Sequence, residues 1–340
     1  MVQGESGMSQ AKSEILILGG AGFIGSHLAN RLCSQGNSVM LFDNLSGSGS
    51  EKNLDILMRR HPQRIRCTVG DFRDREAIRE VIADAEAVFH LVAQPFATRS
   101  MIDPISDFEI NTWGTVALLE ALRARGAAVP LIYASSAKVT QALEGAELRE
   151  SDSRYEPADP VIRCDGISEE RSVALSSPLA CSRLAAENYI RGYSKCFEIP
   201  AVVLRLGSVY GQNLDGSESD GWLGELNRGL SLGRPLQISG NGKQVRDLLH
   251  IDDLVEAFLL SLERISRLEA GLFHIGGGME NSLSLLEWLI RVGPQLKQPL
   301  EIQRVNERPG EFRYYVSCFS QFEKLTGWKP RKRIDEGLTS

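Results

Sequence analysis

A glycine-rich turn between two short apolar runs is the feature that most constrains this chain. Residues 19–25 read Gly-Gly-Ala-Gly-Phe-Ile-Gly; they follow an apolar run at 15–18 and precede a helix-like stretch at 26–32. A second apolar run, at 39–42, ends on Asp43. This order of strand, turn, helix, strand and acid is typical of a dinucleotide-binding unit, in which glycines let the backbone approach a pyrophosphate at the helix N-terminus. Glycines alone would also fit a plain turn, so the inference depends on the elements around them.

The acid at the end of the second run indicates which dinucleotide binds. Asp43 stands where a carboxylate accepts hydrogen bonds from the ribose hydroxyls of the adenosine half. A carboxylate at that point would repel the 2′-phosphate that distinguishes NADP from NAD. The sequence therefore predicts NAD as the cofactor.

Short apolar runs recur along the chain with helical stretches between them. They lie at 65–69, 87–91, 130–134 and 201–206. Alternating strands and helices predict an α/β fold, here a Rossmann-type doubly wound parallel sheet with a smaller C-terminal substrate lobe. The ligand of such a sheet binds beyond the carboxyl ends of the strands, so polar residues at those ends are the first candidates for a site.

The length of 340 residues exceeds the ~250–300 at which a single hydrophobic core tends to split. The alternation weakens after residue 206, where glycine and polar residues dominate. We therefore expect a flexible tail at 1–12, an NAD-binding Rossmann domain at 13–206 plus about 236–262, and a substrate-binding lobe at about 207–235 plus 263–335.

Charge and cysteine usage exclude several classes of protein. The net charge of −6 gives no support for a nucleic-acid or anionic-membrane partner, and no apolar run approaches the ~20 residues of a membrane span. The six cysteines contain no Cys-x-x-Cys pair, which favours neither zinc nor disulfides and fits a cytoplasmic location. His250 before Asp252 and Asp253 could suggest a metal pair, but we expect a helix N-cap there and no metal.

Several motifs together resemble the extended short-chain dehydrogenase/reductases, the nucleotide-sugar epimerase/dehydratase family. They are the glycine loop, Asp43-Asn44-Leu45-Ser46, Gly70-Asp71, His90-Leu91-Val92-Ala93 and Asn111-x-x-Gly114-Thr115. The resemblance runs from about residue 13 to about 330. Within the family it is greatest to enzymes acting on CDP-linked sugars, on segments 107–111, 155–177, 221–224, 238–247 and 281–287.

The resemblance implies an enzyme that holds NAD, oxidises a carbon of a nucleotide-diphosphate sugar and returns the hydride to the other face. It implies cofactor contacts from Gly19, Gly22, Phe23, Ile24, Gly25, Asp43, Asn44, Asp71, Phe72, Leu91, Ala93, Ser135 and Arg183. It places Gln94 and Ser208 beside the sugar, and Arg246 and Arg308 on its diphosphate. It also implies a homodimer formed through helices near 107–125 and 179–197, although burial inside the monomer would equally explain their apolar faces.

The chain departs from the family at the pair that moves protons. Such enzymes carry a Tyr and, four residues later, a Lys, where this chain has Leu179 and Arg183. Leucine has no titratable proton. Arg183 cannot shuttle protons at neutral pH, but it can still bond the nicotinamide ribose and keep the positive field of the catalytic site, so we count it with the catalytic candidates. Ser136 falls at the position of the family's hydroxyl donor, and Lys138, two residues on, is the best substitute base. A solvated or merely structural role for Lys138 remains open; Tyr155, Cys164, Asp165 and Cys181 are weaker candidates.

Three functions therefore stay open at this stage. The chain can be a nucleotide-sugar epimerase with a relocated acid/base, or a dehydrogenase or dehydratase of altered chemistry. It can also be an inactive paralogue that only binds NAD and a sugar nucleotide.

Overall fold

Residues 14–93, 97–126, 128–141, 143–173, 176–217, 222–268, 270–292, 301–306 and 311–334 are described by the structure, a computed structural model. The strands are β1 (Glu14–Leu18), β2 (Val39–Asp43), β3 (Ile65–Val69), β4 (Ala85–His90), β5 (Leu131–Ser136), β6 (Leu148–Glu150), β7 (Tyr155–Pro157), β8 (Ala201–Leu206), β9 (Ser208–Tyr210), β10 (Leu236–Ser239), β11 (Val245–His250), β12 (Leu272–Ile275), β13 (Ser282–Ser284), β14 (Ile302–Val305) and β15 (Tyr314–Tyr315). The α-helices are α1 (Phe23–Ser34), α2 (Ser50–Arg60), α3 (Arg75–Ile82), α4 (Ala97–Ile102), α5 (Pro104–Phe108), α6 (Gly114–Arg125), α7 (Pro160–Asp165), α8 (Pro178–Phe197), α9 (Trp222–Ser231), α10 (Ile251–Glu263), α11 (Ile265–Leu268), α12 (Leu285–Val292) and α13 (Ser320–Thr326).

A seven-stranded parallel sheet forms the centre of the molecule, as the alternating pattern predicts. Its strand order is β12-β8-β5-β4-β1-β2-β3, and every neighbouring pair is parallel. The chain runs outward from β1 to β3, then returns to β4 on the other side of β1. This reversal leaves a crevice at the carboxyl ends of β1 and β4, where open α/β sheets bind their ligands.

Two apolar cores sandwich this sheet. Leu28 of α1 and Phe258 of α10 are fully buried on one face, whereas Leu118 of α6 and Ile190 of α8 are fully buried on the other. The strands are apolar on both faces, as expected of a parallel sheet with helices on each side. The predicted fold class is therefore confirmed.

Local sequence features explain where helix α8 begins and which of its faces is buried. Ser177 is its N-cap and accepts a hydrogen bond from the Ala180 N–H at 3.2 Å, and Pro178 occupies the first helical position. Leu179, Arg183 and Ile190 lie on its buried face, at spacings of four and seven residues. An arginine on this face is unusual, because its charge must find partners beneath the helix.

The second lobe is built from short strands around β11. This strand pairs with β13, β15 and β9, while β10 pairs with β14. Of the segment 236–262, which we assigned to the Rossmann domain, α10 packs against α1, and Leu249 of β11 belongs to the same buried core. Because β10 and β11 pair with strands of the lobe, the exact domain boundaries stay a prediction.

The segment between β5 and α8 is fastened to this second lobe. Arg154 lies 3.5 Å from the Glu287 carboxylate, and the Lys243 ammonium lies 2.9 Å from Glu150. Its far end returns to the sheet domain, where the Glu169 carboxylate accepts a hydrogen bond from the His274 N–H at 2.7 Å. This segment therefore contacts both lobes.

Among the described helices, none is long and apolar enough to cross a membrane.

We predict a large loss of stability when the buried ion pair between α8 and β8 is broken. Arg205 donates two hydrogen bonds to Glu187, at 3.0 and 2.7 Å, and both side chains are less than 5% exposed. Arg205→Met would leave the Glu187 carboxylate buried without its cation, which costs about 3–5 kcal/mol. The free energy of unfolding, measured in urea, checks this. Arg123→Met, which breaks the exposed pair with Glu120, should leave the free energy of unfolding nearly unchanged; similar losses in the two variants would contradict the prediction.

Candidate active site

The glycine loop is shaped by close approaches that other residues would block. Gly19 has a φ of +78°, in the left-handed region, and a Cβ on Gly25 would lie 2.3 Å from the Gly19 carbonyl oxygen. Gly22 is the N-cap of α1, and the described contacts include no side-chain cap there and no acid in the first turn. The first N–H groups of α1 are thus left for an anion. The loop fits the pyrophosphate of a dinucleotide.

Asp43 is held against the glycine loop, as a ribose-binding acid would be. Its Oδ2 accepts a hydrogen bond from the Ala21 N–H at 3.0 Å, and its Oδ1 accepts one from the Leu45 N–H at 2.8 Å. Each oxygen keeps a second lone pair for a ribose hydroxyl. Asn44, beside it, folds back to accept from the Ser46 N–H at 3.1 Å, which shapes the turn after β2.

Asn53 of α2 supports the cofactor loop, although no sequence motif predicts it. It is 3% exposed, and its side-chain amide donates to the Ala21 carbonyl at 3.1 Å. Asn53 therefore fastens the glycine loop from the neighbouring helix. An asparagine in a polar helix carries no sequence signal for such a contact, because its partner lies 32 residues away.

Asp71 and Phe72, which we predicted beside the cofactor, have different surroundings. Arg73 binds both oxygens of the Asp71 carboxylate, at 2.9 and 2.6 Å, and these hydrogen bonds lower the pKa of Asp71. The Phe72 ring is buried 4.7 Å from the ring of His90. The Phe72 side chain thus belongs to the core, whereas the Asp71 side chain is 40% exposed; the contacts of both with the cofactor stay a prediction.

The end of β4 packs directly against the glycine loop. The Leu91 N–H donates to the Leu18 carbonyl at 2.9 Å, and a Cβ on Gly19 would lie 3.1 Å from the Leu91 carbonyl carbon. Ala93 follows in the described chain, whereas Gln94, the predicted sugar contact, lies outside the described residues. His90 is fully buried and bonded to Thr115 at 2.9 Å, and burial lowers its pKa to about 3, which makes it a neutral structural residue.

The two serines at the end of β5 have different surroundings. The Ser135 hydroxyl donates to the Glu187 carboxylate at 2.5 Å, so it is part of the buried ion pair with Arg205. Ser136 is half-buried, and its Oγ accepts a hydrogen bond from the Lys138 N–H at 3.2 Å. That bond caps a single 3₁₀ turn, residues 137–139, which carries the half-buried Lys138 side chain. Ser136 and Lys138 thus share one short turn at the carboxyl end of β5.

Arg183 is turned into the molecule. Its Nη1 donates to the Ala134 carbonyl at 2.7 Å and to the Tyr133 hydroxyl at 3.2 Å. The guanidinium carbon lies 5.7 Å from the centre of the Tyr133 ring. We predicted this cation at the nicotinamide ribose; the described contacts instead engage it with β5. Tyr133, which no motif in the sequence singles out, is its main partner.

Leu179, at the position of the family's tyrosine, is buried beside Arg183. It is 3% exposed, and its N–H donates to the Ser100 Oγ at 3.2 Å. A neighbouring polar network involves Asp107, whose carboxylate accepts from Ser182 at 2.6 Å and from Asn111 at 3.0 Å. Burial raises the pKa of Asp107. Leu179 itself adds no group that could transfer a proton.

The weaker candidates for a base lie on other elements than Ser136 and Lys138. Tyr155 is buried, and its hydroxyl accepts from the Asn241 side chain at 2.8 Å, within the second lobe. Cys164 and Cys181 are exposed on α7 and α8, and Asp165 is exposed at the end of α7.

Arg246 supplies a positive charge at the second lobe. Its side chain lies 3.8 Å from the Glu311 carboxylate and 6.0 Å from the Phe312 ring centre. Burial lowers the pKa of Arg246. Ser208 is half-buried on β9, which pairs with β11, the strand that carries Arg246. Arg308, the other predicted diphosphate ligand, lies outside the described residues.

The predicted N-cap at His250 is present. Its Nδ1 accepts a hydrogen bond from the Asp252 N–H at 3.1 Å, which begins α10. Among the described residues, no three His, Cys, Asp or Glu side chains are grouped as a metal site would require.

Comparison with known protein families identifies the family of this chain. The chain matches the NAD dependent epimerase/dehydratase family over residues 15–276. The chain belongs to this family. Its cofactor, predicted from the glycine loop and Asp43, is thereby confirmed as NAD, which supplies the acceptor and donor of hydride when bound.

Known members of the epimerase/dehydratase family resemble the chain over nearly its whole length. CDP-paratose 2-epimerase of Salmonella typhi is 33% identical, across 96% of this chain and 97% of that enzyme. This agrees with the resemblance to CDP-paratose 2-epimerase (CDP-tyvelose epimerase) that segments such as 238–247 indicate. The dTDP-glucose 4,6-dehydratase 1 of Escherichia coli is 28% identical across 96% of this chain and 90% of its own length.

Solved structures of family members share the fold. UDP-glucuronic acid 4-epimerase from Bacillus cereus, in complex with UDP-glucuronic acid and NAD, has a TM-score of 0.82 and 25% identity, with 96% of each chain covered. UDP-glucose 4-epimerase from Thermus thermophilus, in complex with NAD, has a TM-score of 0.77 and 28% identity, again with 96% of each chain covered.

We predict that Gly25→Ala abolishes most NAD binding. The added Cβ would lie 2.3 Å from the Gly19 carbonyl oxygen, so the loop must open. Its N–H groups would then no longer point at the pyrophosphate, and we expect NAD affinity to fall by about tenfold or more. Titration of the cofactor-free protein with NAD measures this. Gly192→Ala is the control, because its Cβ would meet no atom within 4 Å. Unchanged affinity in Gly25→Ala would contradict the prediction.

Proposed function

We propose that the protein is an NAD-dependent nucleotide-sugar epimerase with a non-standard acid/base, and that its substrate is a CDP-linked sugar. The observation that carries this proposal is the 33% identity to CDP-paratose 2-epimerase across nearly both full lengths. The position of Ser136 and Lys138 on one short turn at the end of β5 supports it, because ligands of a parallel sheet bind beyond the carboxyl ends of its strands.

In the proposed reaction NAD, held by the glycine loop and Asp43, would supply the acceptor and donor of hydride through which a sugar carbon is oxidised and then reduced on its other face. Ser136 donates a hydrogen bond to the reacting sugar oxygen. Lys138, as the neutral amine, accepts the hydroxyl proton during oxidation and gives it back during reduction, so protons and electrons balance. Arg246 and Arg308 hold the diphosphate, and Gln94 and Ser208 hold the sugar. Arg183 acts as a positioning residue, because its hydrogen bonds fix the end of β5 that leads to Ser136.

A second function is favoured by the surroundings of Leu179 and Arg183. The leucine is buried and the guanidinium is engaged with Ala134 and Tyr133, so neither can reproduce the family's tyrosine and lysine. This observation supports a family member of altered chemistry, a dehydrogenase or dehydratase, or a paralogue that binds NAD and a sugar nucleotide without turning them over.

We also propose that the protein works as a homodimer, in the cytoplasm. An apolar groove on α8, lined by Ala185, Tyr189, Gly192, Tyr193 and Phe197, faces outward. Tyr189 and Phe197 are 47% and 45% exposed, and aromatic surface of this kind marks an interface. The six cysteines are all unpaired, which supports a reducing compartment.

The chemistry is tested with a panel of CDP-, UDP-, GDP- and dTDP-sugars, followed by NMR of the products. We expect an epimerised CDP-sugar from the native chain, and Lys138→Ala should lower the rate by about 10²–10⁴-fold, as loss of a general base does. Lys324→Ala, at an exposed site on α13, is the matched control. NAD content of the purified protein is measured separately.

Each alternative to the epimerase gives its own result in this panel. A dehydrated or oxidised product would support the altered chemistry. No product from the native chain, with turnover restored by Leu179→Tyr with Arg183→Lys, would establish the inactive paralogue. Failure to bind NAD at all would remove every version of the proposal.

If the α8 groove is the dimer interface, we expect a charge placed in it to yield monomers. Tyr189→Arg puts a cation in the centre of the proposed apolar interface, where its burial without a partner is costly. Light scattering after size exclusion should change from dimer to monomer mass. Met58→Arg on α2, at a residue of similar exposure (41%), should leave the mass unchanged. A monomeric native protein would refute the proposed assembly.

A further inference from the structure

A second cavity lies away from the candidate active site. It has a volume of about 370 Å³ and lies between α1 and α10 of the sheet domain and α9 of the second lobe. None of the residues assigned above to cofactor, substrate or catalysis lines it. The volume falls within the ~300–1,000 Å³ typical of small-molecule sites.

Two histidines give this cavity one hydrogen-bond donor and one acceptor. His27 Nε2 lies 3.0 Å from the Gln212 carbonyl, so Nε2 carries the proton and Nδ1 is an acceptor. His250 Nδ1 accepts from the Asp252 N–H at 3.1 Å, so its Nε2 carries the proton and is a donor. Burial lowers the pKa of both rings, which keeps them neutral. Within the described residues, His27 Nδ1 and His250 Nε2 have no hydrogen-bond partner.

The charged groups of the cavity offset one another. Arg60 donates to the Leu214 carbonyl at 3.1 Å and keeps further N–H groups for a ligand. Asp252 contributes a half-exposed carboxylate, 3.8 Å from the Lys332 ammonium. Arg60 and Asp252 thus place one cation and one anion in the lining, and the two imidazoles between them are neutral.

Apolar surface completes the lining. Leu223 and Ile251 are buried beside the cavity, and the Tyr210 ring packs edge-on to His250 with centroids 5.2 Å apart. Gly211 keeps the cavity open, because a Cβ there would lie 2.7 Å from an Ile251 methyl group. Paired donors and acceptors beside apolar surface match the hydroxyl groups and C–H faces of a sugar.

We propose that this cavity binds a small neutral carbohydrate, a free monosaccharide or polyol, at a site distinct from the active site. The ligand would contact both lobes, since α1 and α9 form opposite walls. Its hydroxyls would donate to His27 Nδ1 and accept from His250 Nε2 and Arg60. The inference goes beyond the proposed function and does not depend on turnover.

The test is a binding titration of the NAD-loaded protein with a panel of free monosaccharides, and with inorganic phosphate to distinguish an anion site. We expect saturable binding of a monosaccharide, about tenfold weaker in Arg60→Gln and in His250→Asn. The asparagine keeps an oxygen that caps α10 but loses the Nε2–H. Arg59→Gln is the matched control, because the adjacent Arg59 bonds with Asp55 instead and does not line the cavity.

A sugar bound at the candidate active site would give a different pattern. Its affinity would fall in Ser136→Ala and stay constant in Arg60→Gln, which would overturn the proposal. Binding of inorganic phosphate alone would overturn the assigned ligand class, and no saturable binding by any monosaccharide would overturn the site itself. The melting temperature of each variant shows whether it is folded, and a loss of binding is interpreted only where the melting temperature is unchanged. Arg60→Gln is the variant less expected to disturb folding, because Arg60 is exposed.

Discussion

Helix α8 is fastened to the strands beneath it by buried charges, and the rest of the site depends on that attachment. Glu187 meets Arg205 of β8 and Ser135 of β5, while Arg183 meets the end of β5. Taking these charges out of water is unfavourable, so each must keep its partners in good geometry. The result is a rigid seam in which the position of α8 fixes the end of β5. Ser136, one residue beyond Ser135, inherits that rigidity.

The same seam explains why the change at residue 183 is not conservative. An ammonium is a compact point charge that can be aimed at a ligand, whereas a guanidinium is a planar fork that must satisfy several N–H groups. Arg183 finds acceptors at Ala134 and Tyr133 below the helix. Leu179 is buried one turn earlier, whereas Cys181 is exposed between the two residues on the same helix. Neither Leu179 nor Arg183 can accept a proton at neutral pH, which is why the proposed base is Lys138, on the turn after β5.

Much of the fold and the cofactor site could be predicted because the signals are local. The glycine turn, the strand before it and Asp43 lie within 30 residues, and their order alone specifies the binding unit. Asn53, Tyr133 and Glu187 could not be predicted, because each acts through a partner that only the folded chain brings near. Phe72 shows the converse. The motif predicts that the segment faces the cofactor, but side-chain direction depends on neighbouring strands, and the Phe72 ring lies in the core beside His90.

Cofactor binding and proton transfer depend on different features of a site of this kind. The cofactor loop depends on backbone geometry, which Gly19 and Gly25 set through their own close contact. Proton transfer depends on one titratable group within hydrogen-bond reach of the substrate, and losing it raises the barrier by about 3–5.5 kcal/mol while leaving binding intact. The close contact between Gly19 and Gly25 thus lies in the same site as a helix that carries Leu179 and Arg183. A base on the Ser136–Lys138 turn, an altered chemistry, or a role that consists of binding would each account for that combination, and the products formed by the native chain and by Lys138→Ala distinguish them.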